Sequence, residues 1–407
     1  MKILLVTPFL AYPNANGGGT AVFNLIRNLA QRHEVFYLSL ARQEDLSHLA
    51  EVRPFCSEVI TVALPGGAGL SLWKNLRYVL RRVMYNLLSF MTLTPVTVWK
   101  CRERAMCEAL SREIARHEPD VVHICFPQMA HYVEFCKGIP AVMDTLDAAL
   151  LGAFRRAMNA RNLCARAYYW MQWRFWVRYE SRWFPRFGKV LTVTSQDAAA
   201  LRMAIPELDI HSDAIAVETV PRLTTGGGTE RKIGFLASFA HHPNVDAARY
   251  FAESIFPLIR GKIADAQFVV AGRNPPSFLL DRRNEGISCC GFVEDVAEFY
   301  GTMDVVVAPL RYGGGIKIKI LEAMACGKAV VTTSTGAEGI ADAAEGALIV
   351  ADDPALFAAA VSELLGDAKR REALGERARE LVERRFSWQR VLDDLDGIYA
   401  ALAGMKR

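Results

Sequence analysis

Short apolar runs of strand length alternate with longer segments of helical period along almost the whole chain, the pattern of an α/β protein with parallel sheets. Strands are predicted at 2–7, 34–40, 58–63, 120–125, 139–143 and 189–194, and again at 232–237, 266–271, 287–290, 303–308, 328–332 and 346–350, with helices between them. Pro221 and the run Leu223-Thr224-Thr225-Gly226-Gly227-Gly228-Thr229 interrupt the alternation. Three glycines flanked by threonines offer nothing to pack and much backbone freedom, so a connector belongs here. Each half then reads as a doubly wound, Rossmann-like unit of ordinary domain size, and a cleft between two such units is a default place for a ligand.

Composition narrows the class. A chain of 407 residues with 52% hydrophobic and 23% charged residues is neither disordered nor fibrous and has room for two or three domains. Its nine cysteines form no C-x-x-C pair and are scattered through apolar segments, which suggests neither a disulfide framework nor a zinc site and fits a reducing cytoplasm. The apolar N-terminus stops at Pro8, too early for a secretory signal, and no stretch reaches about 18 apolar residues, so a cytoplasmic chain without a membrane span is expected. Charge says more. The net charge of +4 conceals two basic segments: residues 74–104 carry seven cations against Glu103 and residues 151–190 carry nine against Glu180, net +6 and +8, leaving −10 for everything else. One part of the molecule therefore expects an anionic neighbour.

Chemistry concentrates in a few segments. Asn16-Gly17-Gly18-Gly19-Thr20 follows the first strand and precedes a helical pattern from Ala21 to Gln31. Glycines at such a turn let the backbone approach an anion that a helix N-terminus favours, which points to a phosphate or a sugar; a tight turn alone is the competing reading. The G-x-G-x-x-G spacing is absent and the second strand ends in Tyr37-Leu38-Ser39-Leu40 without an acidic residue, so this is not a dinucleotide fingerprint. The stronger signal runs from Ala308 to Val331: a strand, the turn Arg311-Tyr312-Gly313-Gly314-Gly315, a helix with Lys317 and Lys319 in its first turn, Glu322 a turn later, Gly327 as a stop, and another strand. Lysines there oppose the helix dipole, so their placement beside free N–H groups implies a polyanion such as a diphosphate; solvated surface lysines are the alternative.

A further segment, Arg155 to Lys189, sets Arg174, Arg178 and Arg182 at i, i+4 spacing beside an aromatic face containing Trp170, Trp173, Trp176 and Trp183. It suits an anionic lipid interface, with a core helix bearing solvated arginines and a single-stranded nucleic acid surface as alternatives. The other basic segment, with Trp73, Tyr78, Tyr85, Phe90 and Trp99, favours the interface because two helices would share one chemistry. Smaller candidates read as follows: His241-His242 as an exposed loop or donor contact in preference to a metal site with Asp246, Asp144 and Asp147 as a general base or as helix caps, His123 as packed, and Cys289-Cys290 as core.

These residues together resemble the retaining glycosyltransferases of glycosyltransferase family 4. The resemblance covers nearly the whole chain: the N-terminal glycine loop with His33-Glu34-Val35, then Pro119-Asp120-Val121-Val122-His123, Gly291-Phe292-Val293-Glu294-Asp295-Val296, the segment Leu321 to Val331, Thr335-Gly336-Ala337-Glu338-Gly339, and Phe386-Ser387-Trp388. It implies the GT-B fold, two doubly wound Rossmann-like domains facing each other across a cleft. Residues 1–222, completed by a C-terminal helix at 387–407, would take the acceptor, and residues 230–386 a nucleotide sugar. Glu322 matches the second glutamate of the family's E-x7-E motif, similar to a ribose-hydroxyl acceptor. Phe292 and Val293 match the loop flanking the nucleobase, Gly272 the turn after the preceding strand, and Gly18 and Gly19 the loop facing the diphosphate or acceptor.

This chain departs from the family pattern in three places. Gly314 stands where the first glutamate belongs, beside Gly315 and Ile316; the usual phosphate-binding cations are missing at Ala237-Ser238 and Pro243-Asn244; and Cys125 replaces a histidine. Lys317, Lys319 and Arg311 are expected to supply the lost charge, since a diphosphate leaving group needs about two positive charges to depart readily. Ser238 and Asn244 remain donor contacts in this reading. The resemblance implies a metal-independent retaining hexosyltransferase without cofactor, moving a hexose from a nucleotide diphosphate sugar to a polyprenyl-linked saccharide in exopolysaccharide assembly. It would work at the inner face of the cytoplasmic membrane, with an anionic membrane surface and no nucleic acid as partner. A non-catalytic relative that binds a sugar nucleotide within a synthase complex is the alternative. An oxidoreductase or epimerase is disfavoured by the missing ribose acid and by the absence of a Tyr-x-x-x-Lys pair.

Overall fold

A computed structural model of the chain describes residues 1–12, 17–64, 72–136, 138–160, 162–212, 214–218, 230–280, 282–313, 315–340 and 346–404. Two sheets organise it, and every strand pair in both is parallel. The first comprises β1 (Lys2–Thr7), β2 (Glu34–Ala41), β3 (Glu58–Ala63), β4 (Val121–Cys125), β5 (Ala141–Asp144), β6 (Lys189–Leu191) and β7 (Ile210–His211) in the order β3-β2-β1-β4-β5-β6-β7. The second comprises β8 (Lys232–Leu236), β9 (Gln267–Ala271), β10 (Ile287–Gly291), β11 (Val305–Ala308), β12 (Ala329–Thr332) and β13 (Ile349–Val350) in the order β10-β9-β8-β11-β12-β13. Central strands such as Ile3–Val6 and Val305–Ala308 are buried on both faces, which is why they read as continuous apolar runs without alternation. The twelve expected strands are present. The two-residue β7 is additional, too short to leave a pattern in the sequence.

The chain divides into two compact units, Met1–Ala214 with Leu392–Arg407, and Ile215–Val391. The glycine-rich connector expected at 221–229 lies outside the described residues. In the first unit the last helix, Trp388–Gly404, is held by specific chemistry: Tyr399 is fully buried with its hydroxyl 2.6 Å from His123 Nδ1, and Asp396 takes Arg32 at 2.7 Å and His33 at 2.6 Å. His123 is thus packed, 3.4 Å from the buried Asp144, whose other carboxylate oxygen accepts the Leu146 N–H at 3.2 Å.

Two expectations change. The aromatic face of the Leu163–Trp183 helix is core: Phe175, Trp176, Tyr179 and Trp183 are buried and Arg174, Arg178 and Arg182 are exposed opposite them, so those rings are not available to a lipid surface. The burial is deep enough to push the Glu180 carboxyl up to about 8. Cys290 is exposed, not core, because β10 is an edge strand, whereas Cys289 is half-buried and packs against the core.

Helix Ala368–Arg385 approaches the turn after helix Ile318–Ala325 so closely that a Cβ on Gly375 would fall 2.0 Å from the Gly327 carbonyl oxygen. Gly375→Ala is therefore expected to cost about 2–3 kcal/mol and lower Tm by several degrees in thermal unfolding followed by circular dichroism. Gly366→Ala, where a Cβ meets nothing within 4 Å, should leave Tm in place.

Candidate functional site

In the second sheet the strand order reverses between β8 and β11. The segments leaving their C-terminal ends diverge, and a doubly wound sheet offers its ligand crevice there. Those segments are 237–246 and 309–317, which contain Ser238, Asn244, Arg311, Gly315, Ile316 and Lys317 of the residues singled out in the sequence. A third, after β9, comes in at Gly272, where φ is +143° and a Cβ would lie 1.7 Å from the Ala237 carbonyl oxygen. Only glycine permits that contact, so the turns after β8 and β9 are locked against each other.

The turns after β8 and β11 are joined by side chains. Lys319, in the first turn of the Ile318–Ala325 helix, donates from Nζ to Asn244 Oδ1 at 2.6 Å and lies 4.9 Å from the Phe235 ring centre. Asn244 in turn donates to the Ser238 carbonyl at 2.7 Å. Arg311 forks onto Asp246 at 2.9 and 2.5 Å and covers the Tyr250 ring at 4.7 Å. Lys317, at the N-cap of the same helix, donates to the Gly315 carbonyl and stands 3.8 Å from Glu338. The Lys319 carbonyl accepts the buried Tyr300 hydroxyl at 2.9 Å, which fixes the helix start. Lys319 therefore reaches the 237–246 loop, where the sequence has Ser238 and Pro243 in place of the cations that the resemblance implies.

Electrostatics follow from this packing. Burial, and then the neighbouring Lys317 charge, press the Lys319 amine down to about 7, while Glu322 opposes the shift. Burial pushes the Glu322 carboxyl up, and Lys319 pulls it back. Three cations, Lys317, Lys319 and Arg311, face three carboxylates, Glu338, Glu322 and Asp246, and an arriving dianion would tip Lys319 to its charged form.

Other expected residues fall as follows. Gly315 has φ +71° and Ile316 is half-buried; Gly314 lies outside the described residues. Phe292 is exposed, with the Arg273 guanidinium 4.2 Å from its ring centre, and Val293 beside it is half-buried. In the first unit, Gly18 and Gly19 form the first turn of helix Gly17–Leu29 and are not the loop before it, as the sequence pattern had them. Sequence reasoning missed three participants. Asp246 reads in the sequence only as a candidate metal ligand beside His241-His242, Arg273 has only its place after Gly272 to mark it, and Glu338 only the Thr335–Gly339 motif. Among the described residues, the His, Cys, Asp and Glu groups close enough to share a metal ion are His123 with Cys125 and Asp144, and Glu58 with Glu113 and His117. Neither includes His241, His242 or Asp246.

Residues 230–367 match the family described as glycosyl transferases group 1. That span contains all of the side chains just described around Lys319. Over 113 residues the chain is 38% identical to a D-inositol 3-phosphate glycosyltransferase of Geodermatophilus obscurus, covering 27% of this chain and 24% of that protein. Over 124 residues it is 30% identical to the capsular polysaccharide biosynthesis glycosyltransferase CapM of Staphylococcus aureus, covering 30% of this chain and 32% of that one. The chain thus spans about a quarter to a third of the length of these curated relatives. Among solved structures, the Anabaena protein Alr3699/HepE in complex with UDP superposes with a TM-score of 0.62 over 98% of this chain and 100% of that one at 13% identity, a likeness of fold. Two Rossmann-like units, the architecture of GT-B glycosyltransferases, are therefore the fold of this chain.

Lys319 gives the site a pH signature. In the unfolded chain a lysine titrates near 10.4, and here it titrates near 7, so between these values the unfolded state holds a proton that the folded state lacks. The residue's contribution to stability is therefore least favourable below pH 7 and improves as pH rises towards 10. A bound diphosphate reverses the shift, so binding of UDP or GDP at pH 8 should take up a proton, read as a buffer-dependent enthalpy in titration calorimetry. Lys319→Met should remove that dependence.

Proposed function

We propose that the chain is a retaining, metal-independent glycosyltransferase that moves a hexose from a nucleotide diphosphate sugar to a lipid-linked saccharide in polysaccharide biosynthesis, at the inner face of the cytoplasmic membrane. The observation that carries this reading is the Lys319–Asn244 contact: a lysine side chain from the helix after β11 reaches the β8 loop, where the resemblance implies cations that the sequence lacks. The match of residues 230–367 to a glycosyltransferase family, and the UDP held by a protein of the same fold, support it.

In this reading the diphosphate lies over the first turn of the Ile318–Ala325 helix, where free N–H groups, Lys317 and Lys319 stabilise it as it leaves. Glu322 accepts the ribose hydroxyls and Phe292 with Arg273 flanks the base. The bond from the sugar's anomeric carbon to the diphosphate breaks while the acceptor hydroxyl bonds to the same face. A departing phosphate oxygen takes the hydroxyl's proton, so no protein nucleophile is needed.

Slow hydrolysis of a UDP- or GDP-sugar is expected, and Glu322→Ala or Lys317→Ala with Lys319→Ala should lower it by about a hundredfold or more. A thermal-shift panel of nucleotide sugars identifies the donor beforehand. A chain that is stabilised by one donor yet neither hydrolyses nor transfers it would be a binding relative within a synthase complex. Asp246 supplies a finer test, because it neutralises Arg311. If Arg311 serves the diphosphate, Asp246→Asn should tighten nucleoside diphosphate binding by about threefold to tenfold in calorimetry; unchanged affinity would leave Arg311 as a support for Tyr250 alone.

A further inference from the structure

The Leu72–Thr92 helix carries an apolar row into water. Val79, Leu80, Val83, Leu87, Phe90 and Met91 are each more than half exposed, and their spacing puts them along one side. Single exposed apolar residues are ordinary, but a continuous row of six is not. The row cannot turn inward, because the helix is fixed on the Leu163–Trp183 helix: Tyr168 donates to Asn86 at 3.0 Å and Gln172 donates to Ser89 at 3.1 Å. Phe175 steadies the end of the row, its ring edge-on to Phe90 at 6.4 Å. Among the described residues no helix is long and apolar enough to cross a membrane.

Where this helix ends, a cavity of about 110 Å³ opens between Thr94, Arg102, Arg178, Arg182, His131 and Trp183. Arg102 and Arg182 lie against the Trp99 and Trp183 rings at 5.2 and 5.1 Å, and none of the three arginines has a carboxylate partner among the described residues. Glu134 also reaches the cavity, but it pairs with Arg186 at 3.1 Å. His131 is 3% exposed; its Nδ1 faces the Tyr179 hydroxyl at 2.9 Å and its Nε2 has no hydrogen-bond partner. Burial, and then Arg102, hold this imidazole down to about 3, so it is neutral and carries one ring proton. The Tyr179 hydroxyl donates its proton to the Gln128 carbonyl at 3.3 Å and accepts from His131 Nδ1–H, so Nε2 is left as a buried acceptor without a donor. Three guanidinium groups without a carboxylate partner among the described residues, gathered on one small cavity, ask for a phosphate.

We propose that this end of the first unit docks on an anionic phospholipid bilayer, the apolar row entering the acyl region while Arg102, Arg178 and Arg182 take a headgroup phosphate. A bilayer supplies apolar depth and negative charge side by side. A second copy of the chain would bring its own unpaired arginines against these and neutralise nothing. The inference deepens the membrane partner proposed above, and it does not depend on the donor site.

Vesicle flotation tests it on the full chain without any sugar nucleotide. At low salt the protein should float with vesicles of phosphatidylcholine and phosphatidylglycerol, stay behind with phosphatidylcholine alone, and lose partition as salt rises. Arg178→Gln with Arg182→Gln, and separately Leu87→Ser with Phe90→Ser, should each lower partition about tenfold or more with circular dichroism unchanged, as expected for exposed positions. Phe90→Trp should gain fluorescence that brominated acyl chains quench. The Lys317→Ala, Lys319→Ala chain should float like the native one, which separates this inference from the glycosyl-transfer reading. Equal partition onto neutral and anionic vesicles would overturn the proposal, as would indifference to the arginine changes. So would release by inorganic phosphate with the fluorescence of the Phe90→Trp chain unquenched, or a dimer in sedimentation that Leu87→Ser with Phe90→Ser dissolves.

Discussion

An amine withdrawn from water keeps its charge only if something anionic or strongly accepting meets it; in the second unit Lys328, buried, has two carbonyls at 3.0 Å, whereas the candidate site is built around an amine with less. Lys319 is held by an amide oxygen at 2.6 Å and a ring face at 4.9 Å, both weaker partners than a phosphate. Its placement depends on everything beneath it: the Tyr300 hydroxyl on its carbonyl, the glycine turn before it, and the parallel order that brings the ends of β8 and β11 together. Removing the Gly272 contact would let the β8 turn drift and take Asn244 with it. The local fold therefore keeps a half-neutral lysine in place, a condition that a bound anion would relieve.

Much of this was legible in the sequence, for identifiable reasons. Parallel strands covered on both faces leave uninterrupted apolar runs, so β1, β4, β8 and β11 announce themselves, and the glycine-rich turn with two lysines after β11 marks the proposed anion site. What stayed hidden depends on contacts between distant segments. Asp246 and Arg311 are 65 positions apart and meet only once the sheet forms. The same limit misled the reading of the Leu163–Trp183 helix. Arginines at i, i+4 beside aromatics describe a lipid-facing helix and a core helix equally well, and only packing against the sheet decides which side faces inward. The glycines at 17–19 illustrate a subtler case, since a helix can begin on glycines as readily as after them when its first turn needs no side chain.

Arginines paired with carboxylates occur in both units, and in the first Arg32, Arg104, Arg112, Arg116 and Arg186 are among them. In the second, Arg231, Arg249, Arg282, Arg311, Arg370, Arg371 and Arg379 all stand within 4 Å of a carboxylate, the ordinary arrangement for a protein surface. In the first, the arginines of the Leu163–Trp183 helix have no such partner among the described residues, although Glu180 is a member of that helix and would be an i+2 or i−2 neighbour of Arg178 and Arg182. Residues two apart on a helix face different sides, and Glu180 is turned into the core, where burial favours its neutral form. The helix thus spends its one carboxylate inside and leaves its positive charge uncompensated outside. A row of unpaired guanidinium groups repels itself, and a surface selected only for stability would dilute it with acids at neighbouring positions. Its persistence next to an uncovered apolar row is explained if the counter-charge arrives from outside the chain.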